Sequence, residues 1–292
     1  MNFNKFELSA IPEIRKYLQY SKVKTCDYTV GGIYMWRDYF KMQYAVRDGT
    51  LFSRLYDLSG KEFYNLPLSS DIKSALIFLV NSQKKGEDGM RFCTIPKQYL
   101  SLFEENFTIK KIEAQPQYFD YLYSTAELAS LEGKKFRNQR NLISQFERSS
   151  DNWEMKEISK EELPAVRKFY VENCMVNYGE PTAIEEQNMV LEVLDNFDEY
   201  AMTGGLLYSD STIVGFSLGE IQNDTFFVHI EKADRRIKGA YQMLAHQMVI
   251  NFALGKANFI NREEDMGDSG LKKAKEAYNP IQMLEKFAVE VY

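Results

Sequence analysis

His229 and Glu231 stand two residues apart in the run Thr225 to Tyr241, TFFVHIEKADRRIKGAY. Read as a strand, the run puts Phe227, His229 and Glu231 on one face and Phe226, Val228 and Ile230 on the other. Two ionisable groups on one strand face are candidates for moving a proton, since an imidazole titrates near neutrality and burial can raise a carboxyl into the same range. A second apolar run, Ala257 to Arg262, ends in Glu263, Glu264 and Asp265. A reaction that removes a proton from its substrate needs a base within hydrogen-bond reach of that proton. His229, Glu231, Glu263 and Glu264 are therefore the candidate catalytic residues, with Asn261, Arg262 and Asp265 as further residues of the cleft. A core histidine with satisfied hydrogen bonds, or an acidic loop in solvent, fits the same residue types. His246 has the weaker case, because it lies beside the apolar stripe of an amphipathic helix.

Cations follow the strand. Lys232, Arg235, Arg236 and Lys238 fall within seven residues, and Gly239 with Ala240 then opens a helix. Unpaired N–H groups and the helix dipole suit a phosphate or another anion there, and Gly239 would let a ligand approach the backbone closely. A solvated charged turn fits the same spacing. A second basic stretch, GKKFRNQRNLISQFER, carries Lys134, Lys135, Arg137, Arg140 and Arg148 against one acid. It reads either as a solvated helix face connecting two domains or as an anion-binding wall. No metal is expected: the two histidines are isolated, and Cys26, Cys93 and Cys174 form no paired motif and read as buried small apolar residues. No P-loop, nucleophile elbow or dinucleotide fingerprint is present.

The elements that must position these residues form an α/β pattern of α+β mixed sheets. Helices are expected over 10–20 and 27–40, the second weakened by Gly31-Gly32. Strands over 41–47 and 51–56 flank Asp48-Gly49, the best hairpin signal in the chain. A strand over 61–66, a helix from Ser70-Asp71 to Val80, a Gly86-Glu87-Asp88-Gly89 loop, a strand over 91–95, a short helix over 97–105 and a strand over 107–112 complete the first third. Gln117 to Ser124 is aromatic and extended, and a short capped helix runs to Leu131. Trp153 to Ile158 is a strand; helices over 161–176 and 182–200 are divided by Gly179-Glu180-Pro181. A hairpin over 204–209 and 212–221 precedes the His229 strand. In STIVGFSLGE, Val214, Phe216 and Leu218 face one way and the small residues Gly215, Ser217 and Gly219 the other, leaving room for a ligand or for a closely crossing helix. A helix over 239–254, a strand over 257–262, a lysine-rich helix over 271–277 and a closing segment over 283–291 follow. Strand, helix and strand in that order imply parallel pairing, with ligands at the carboxyl ends. The strand over 91–95 is followed by Pro96 in place of a basic glycine turn, so the first half reads as structure and as one wall of a cleft.

At 292 residues the chain is long enough for two domains, placed at 1–133 and 134–292. Its 45% hydrophobic and 27% charged content is that of a globular protein. A net charge of −6 argues against general nucleic-acid binding, while a local basic patch remains compatible with a phosphate. The opening lacks a signal-peptide core, and no stretch approaches the ~20 apolar residues of a membrane helix. A soluble cytoplasmic protein is expected.

The order of two helices, a hairpin, a strand with a basic glycine turn, a helix and a strand is similar to the GNAT acyltransferase fold. Arg236-Ile-Lys-Gly239-Ala-Tyr241 resembles that family's pyrophosphate-binding Arg/Gln-x-x-Gly-x-Gly/Ala and departs from it at Tyr241. Over nearly the whole chain, the phrases DYTVGGIYMWR, FDYLYSTAELASLEGKKFRNQRNLISQFE, IVGFSLGE, TFFVHIEKAD, GAYQMLAHQ and FINREEDMGDSGLKKAKEAYNP resemble the phosphatidylglycerol lysyltransferase C-terminal domain family. The resemblance implies two GNAT-like acyltransferase domains in tandem. It also implies an acyl or aminoacyl transferase that takes its group from acetyl-coenzyme A or aminoacyl-tRNA and passes it to an amine or hydroxyl acceptor. The family's lipid enzymes carry a transmembrane domain; here peripheral membrane contact stays open. The alternative is a catalytically silent module of the same fold that binds an anionic small ligand.

Overall fold

The computed structural model describes residues 1–83, 89–175 and 181–292. Gly86-Glu87-Asp88 and Gly179-Glu180, expected as breakers, lie outside the described residues. Two compact units divide the chain, one formed by Met1–Asp120, Glu264–Asp268 and Met283–Tyr292, the other by Tyr121–Glu263 and Ser269–Gln282. The chain returns twice to its first unit.

In the first unit, β1 (Asn4–Lys5), β2 (Gln43–Arg47), β3 (Thr50–Tyr56), β4 (Glu62–Tyr64), β5 (Met90–Pro96) and β6 (Ile109–Ala114) share one sheet with the last strand of the chain, Lys286–Val291. That last strand enters between β5 and β6, antiparallel to both. Asp48 and Gly49, both at positive φ, make the tight turn of the β2–β3 hairpin. Helices α1 (Ile11–Leu18), α2 (Val30–Tyr34), α3 (Ile72–Gln83) and α4 (Leu100–Asn106) complete the unit. The helix expected over 27–40 is only the five residues of α2. Thr29 caps it by accepting from Gly32 N–H at 3.0 Å. A Cβ on Gly32 would lie 2.0 Å from the Cys26 carbonyl oxygen, so the glycine pair lets the chain fold tightly here and does not extend a helix.

The second sheet gathers β7 (Asp120–Ser124), β8 (Trp153–Glu157), β9 (Thr203–Ser209), β10 (Thr212–Gln222), β11 (Thr225–Ala233), β12 (Phe259–Asn261) and β13 (Gln282–Leu284) in the order β13-β7-β12-β11-β10-β9-β8. Lys286–Val291 is thus β14. The helices are α5 (Thr125–Ser130), α6 (Arg137–Ser149), α7 (Leu163–Asn173), α8 (Pro181–Asp195), α9 (Phe197–Tyr200), α10 (Ala240–Met248) and α11 (Ser269–Glu276). β11 and β12 are parallel, as their order with the intervening α10 implies. β10 and β11 are antiparallel, and their register jumps from Leu218↔Ile230 to Gly219↔Val228, which makes His229 the extra residue of a bulge. α10 covers the face of β10 that carries the small residues: a Cβ on Gly215 would lie 3.2 Å from Leu244. The small face therefore seats a helix. Phe169 and Tyr170 of α7 pack edge-on against Phe216, and α10 ends in a wider π-helical turn over Val249–Ala253. No helix of the described residues is long and apolar enough to cross a membrane.

Candidate functional site

The bulge at His229 decides which side chains meet. Its ring stacks on Phe227 and is fully buried. Nδ1 lies 2.7 Å from Glu263 Oε1 and Nε2 lies 3.0 Å from Glu220 Oε1. A ring with a carboxylate at each nitrogen is held as the imidazolium, because both nitrogens must donate. Burial works against that charge, but the bonds to Glu220 and Glu263 outweigh it and push the pKa up to about 10. His229 is therefore not a free base at neutral pH. The trio of one cation and two carboxylates carries one net negative charge, and of the two acids Glu263 is the more exposed, at 23% against 6% for Glu220. Glu263 follows β12 at φ +58, and its N–H donates to Asn261 Oδ1 at 2.6 Å. Those contacts hold a non-glycine residue in the left-handed region and aim its side chain at the imidazole.

The raised pKa fixes a pH dependence. The stabilisation is complete below the unfolded value of about 6.5 and is lost as pH rises through about 10, because the folded state keeps a proton that the unfolded state releases. Between those limits stability is expected to fall by up to about 1.4 kcal/mol per pH unit. Urea unfolding of the wild type and of His229→Gln from pH 6 to 10 checks this: the wild type should show the steeper loss, and equal slopes would remove the imidazolium.

Glu231 does not join His229. After the bulge it lines the same cavity as Val228, Ile260 and Arg262, and Arg262 Nη2 donates to Glu231 Oε1 at 2.6 Å. The guanidinium lies over the Tyr278 ring at 4.7 Å. Strict alternation placed both ionisable groups on one face; the extra residue reverses the strand between them.

In the basic turn, the anion already present is Asp234. It accepts from Arg236 N–H at 2.9 Å and from the Arg236 guanidinium at 2.6 to 3.2 Å, and these bonds hold its carboxyl below the usual range. Arg236 also reaches Asn173, and Lys232 pairs with Glu186 at 2.5 Å. Arg235 and Lys238 are exposed, and Ala240 is buried. Gly239 sits at φ +85, and a Cβ there would fall 2.1 Å from the Leu142 carbonyl oxygen. The close approach its sequence position suggested is thus made by α6. Gly239→Ala is expected to cost more than about 2 kcal/mol, from the left-handed backbone and the contact with α6; a shift in the urea midpoint measures it, and an unchanged midpoint would contradict the contact. Lys134, Lys135, Arg137 and Arg140 are exposed. Lys135 pairs with Glu127 at 2.7 Å, and Arg140 donates to the Leu131 and Gly133 carbonyls, tying the start of α6 to the end of α5.

Glu264 and Asp265 fall in the first unit. Asp265 accepts from Gly267 N–H at 2.8 Å and shapes a turn. Glu264 belongs to a nest around Lys286, whose ammonium is 2.7 Å from Asp27, 2.6 Å from Asp120, 3.8 Å from Glu264 and 3.5 Å from Cys26 Sγ. Cys26 N–H donates to Asp120 at 2.7 Å. Cys26, Asp27 and Asp120 have a donor set that a divalent cation could use, but the lysine ammonium lies among them. Burial pushes the Cys26 thiol up, with Asp120 and Glu264 adding to the effect, so the thiol is inert. Next to the nest, Thr94 holds φ +50 where the β5–β14 register shifts. Sequence reasoning missed Glu220, Asp27, Asp120 and Lys286. Glu220 had a usable signal, since it continues the row Val214, Phe216, Leu218 as the one acid of an otherwise apolar alternation. Asp120 also had one, as the acid inside the aromatic run QYFDYLYS.

The protein family described as phosphatidylglycerol lysyltransferase, C-terminal, matches residues 19–290. A crystal structure of a conserved protein of unknown function from Bacteroides thetaiotaomicron is 29% identical, with 100% of each chain covered and a TM-score of 0.88. The structure of L-PGS from Bacillus licheniformis shares the fold at 12% identity, covering 96% of this chain and 91% of that one with a TM-score of 0.65. An uncharacterised protein of Mycoplasmoides gallisepticum is 24% identical over 176 residues, 59% of this chain and 56% of that protein. That match spans little more than half the relative's length.

Proposed function

Because the chain belongs to the phosphatidylglycerol lysyltransferase C-terminal family, we propose that it is an aminoacyl transferase in which Glu263 takes the acceptor's proton. The donor is aminoacyl-tRNA and the acceptor an amine or hydroxyl. The observation that carries this reading is the His229 imidazolium bonded to Glu220 and Glu263. Its trio has room for one more proton, and its most exposed member stands just past the carboxyl end of a parallel strand, where open α/β sheets bind ligands. As the acceptor's nitrogen or oxygen bonds to the acyl carbon, its proton passes to Glu263; the carbonyl re-forms by breaking the ester bond, and the tRNA hydroxyl leaves with the proton that Glu263 gives back. Glu220 and His229 position Glu263 and touch no substrate. Asp234 in the basic turn and Leu142 against Gly239 support tRNA over the thioester of coenzyme A as donor, since the close-approach position is taken. Lysine and phosphatidylglycerol, the pair in the family's description, are the first donor group and acceptor to try, with the lipid presented in vesicles.

The engaged nitrogens of His229 also favour a second reading, a silent module that binds an anionic ligand without turnover. Incubation with a pool of charged tRNAs carrying labelled amino acids separates the two. Label moved to an acceptor supports the transferase; saturable binding of acetyl-coenzyme A or tRNA with no loss of the ester supports the module.

A further inference from the structure

The outer strand of the second sheet, β8, leaves one edge open. Its five residues pair with β9 in an unbroken register, from Trp153↔Ser209 to Glu157↔Gly205, and no strand of the described residues lies beyond it. Asp210 N–H donates to the Asn152 carbonyl at 2.8 Å, and Ile158 N–H to the Gly204 carbonyl at 2.9 Å. The even-numbered residues of β8 therefore turn their backbone groups toward β9, while Trp153, Met155 and Glu157 turn theirs outward. Such a row of donors and acceptors is the template that another strand completes. β6, the outer strand of the first sheet, is blunted by comparison, because Lys110 is an extra residue where its register against β14 shifts. The β8 register has no such shift.

We propose that this edge is a self-association surface, on which β8 of a second copy of this chain pairs antiparallel about a two-fold axis at Met155. Side-chain charge selects that register. Outward-facing residues must meet outward-facing residues, so Met155 of one copy can stand opposite Trp153, Met155 or Glu157 of the other. The first choice sets Glu154 against Glu154 and the last sets Lys156 against Lys156, each a like-charge pair that destabilises a sheet. With Met155 opposite Met155, each Glu154 faces Lys156 of the other copy, and all five residues of the strand are paired. Longer shifts leave most of the strand without a partner. Glu154 and Lys156 are 53% and 49% exposed and share a face, with Lys156 Nζ 2.8 Å from Glu154 Oε1. The two-fold axis turns that pair into a square of alternating charge. On the other face Trp153 and Met155 are partly exposed, and pairing covers them. A two-fold contact closes at two copies. One strand pair buries less than the roughly 800 Å² per partner of a standard interface, so the dimer forms reversibly. The inference does not rest on the transfer reaction.

Exchanging the charges tests the register. Glu154→Lys leaves only cations at positions 154 and 156, and Lys156→Glu leaves only anions. Each variant alone should stay monomeric in sedimentation velocity at concentrations where the wild type dimerises. Mixed in equal amounts, the two regain opposite charges at both facing positions, and the mixture should dimerise again. Cross-linking extends the test to association too weak to sediment. In a Cys174→Ser background, where the remaining Cys26 and Cys93 are buried, Glu154→Cys and Lys156→Cys are oxidised separately and together. These positions face each other as a non-hydrogen-bonded pair, about 4.5 Å apart at Cα, within the span of a disulfide. The mixture should therefore cross-link several-fold faster than either variant alone. Single charge variants that associate as the wild type does, a charge mixture that stays monomeric while the wild type dimerises, or a cysteine mixture that cross-links no faster than its components would overturn the proposal.

Discussion

Replacing Lys286 by Met is expected to destabilise the first unit by about 3–5 kcal/mol, the usual consequence of removing one partner from a buried ion cluster. Lys286 is 1% exposed and sits within 2.7 Å of two carboxylates, with Glu264 at 3.8 Å. Without the ammonium, Asp27, Asp120 and Glu264 face one another in a site where burial already pushes the Asp27 pKa up. Coulomb repulsion there is poorly screened by salt. Pairing Lys286→Met with Asp120→Asn removes one charge of each sign, and should recover part of the loss. The chain has two tryptophans, Trp36 in the first unit and Trp153 in the second. In a Trp153→Phe background, fluorescence on urea unfolding therefore follows the first unit. A midpoint that barely moves for Lys286→Met would mean that the nest contributes little.

Glu263→Gln is expected to lower transfer by roughly 10²- to 10⁴-fold, the usual contribution of a positioned base. The amide keeps the size of the side chain, and its oxygen can still accept from His229 Nδ1, so the fold around φ +58 is preserved. What it loses is the capacity to take a proton. Glu220→Gln should cost less, because Glu220 is nearly enclosed and acts through His229. A structural role for the trio would instead make both substitutions shift the melting temperature and leave the rate per folded molecule unchanged.

Much of the arrangement around His229 was readable from local pattern. The periodic runs of β11, α10 and β12 imply parallel neighbours, as they are, but β12 ends at Asn261 opposite Phe227, so its carboxyl end brings Glu263 to His229 in the middle of β11 and not to the basic turn beyond Ala233. Glu231 was misplaced because one extra residue in β11 reverses the faces, and a bulge leaves no mark in hydrophobic alternation. The position of Gly239 marks a backbone that is approached closely, but sequence alone does not tell a ligand from the Leu142 carbonyl. The Lys286 nest was beyond reach for a different reason. Its members come from positions 26, 27, 120, 264 and 286, and they meet because β14 enters between β5 and β6. Pairing across such separations is a tertiary fact that local propensity does not encode.

The most direct test of the transferase account is a single-turnover rapid-quench measurement of ester loss from lysyl-tRNA, with protein in excess and vesicles containing phosphatidylglycerol, on the wild type and Glu263→Gln. The account predicts that label leaves the tRNA well above the spontaneous rate and appears in the lipid. It predicts that Glu263→Gln slows this step by roughly 10²-fold or more while the tRNA is still bound. Label that remains on the tRNA with every charged donor and acceptor tried, or a Glu263→Gln rate equal to that of the wild type, would contradict it.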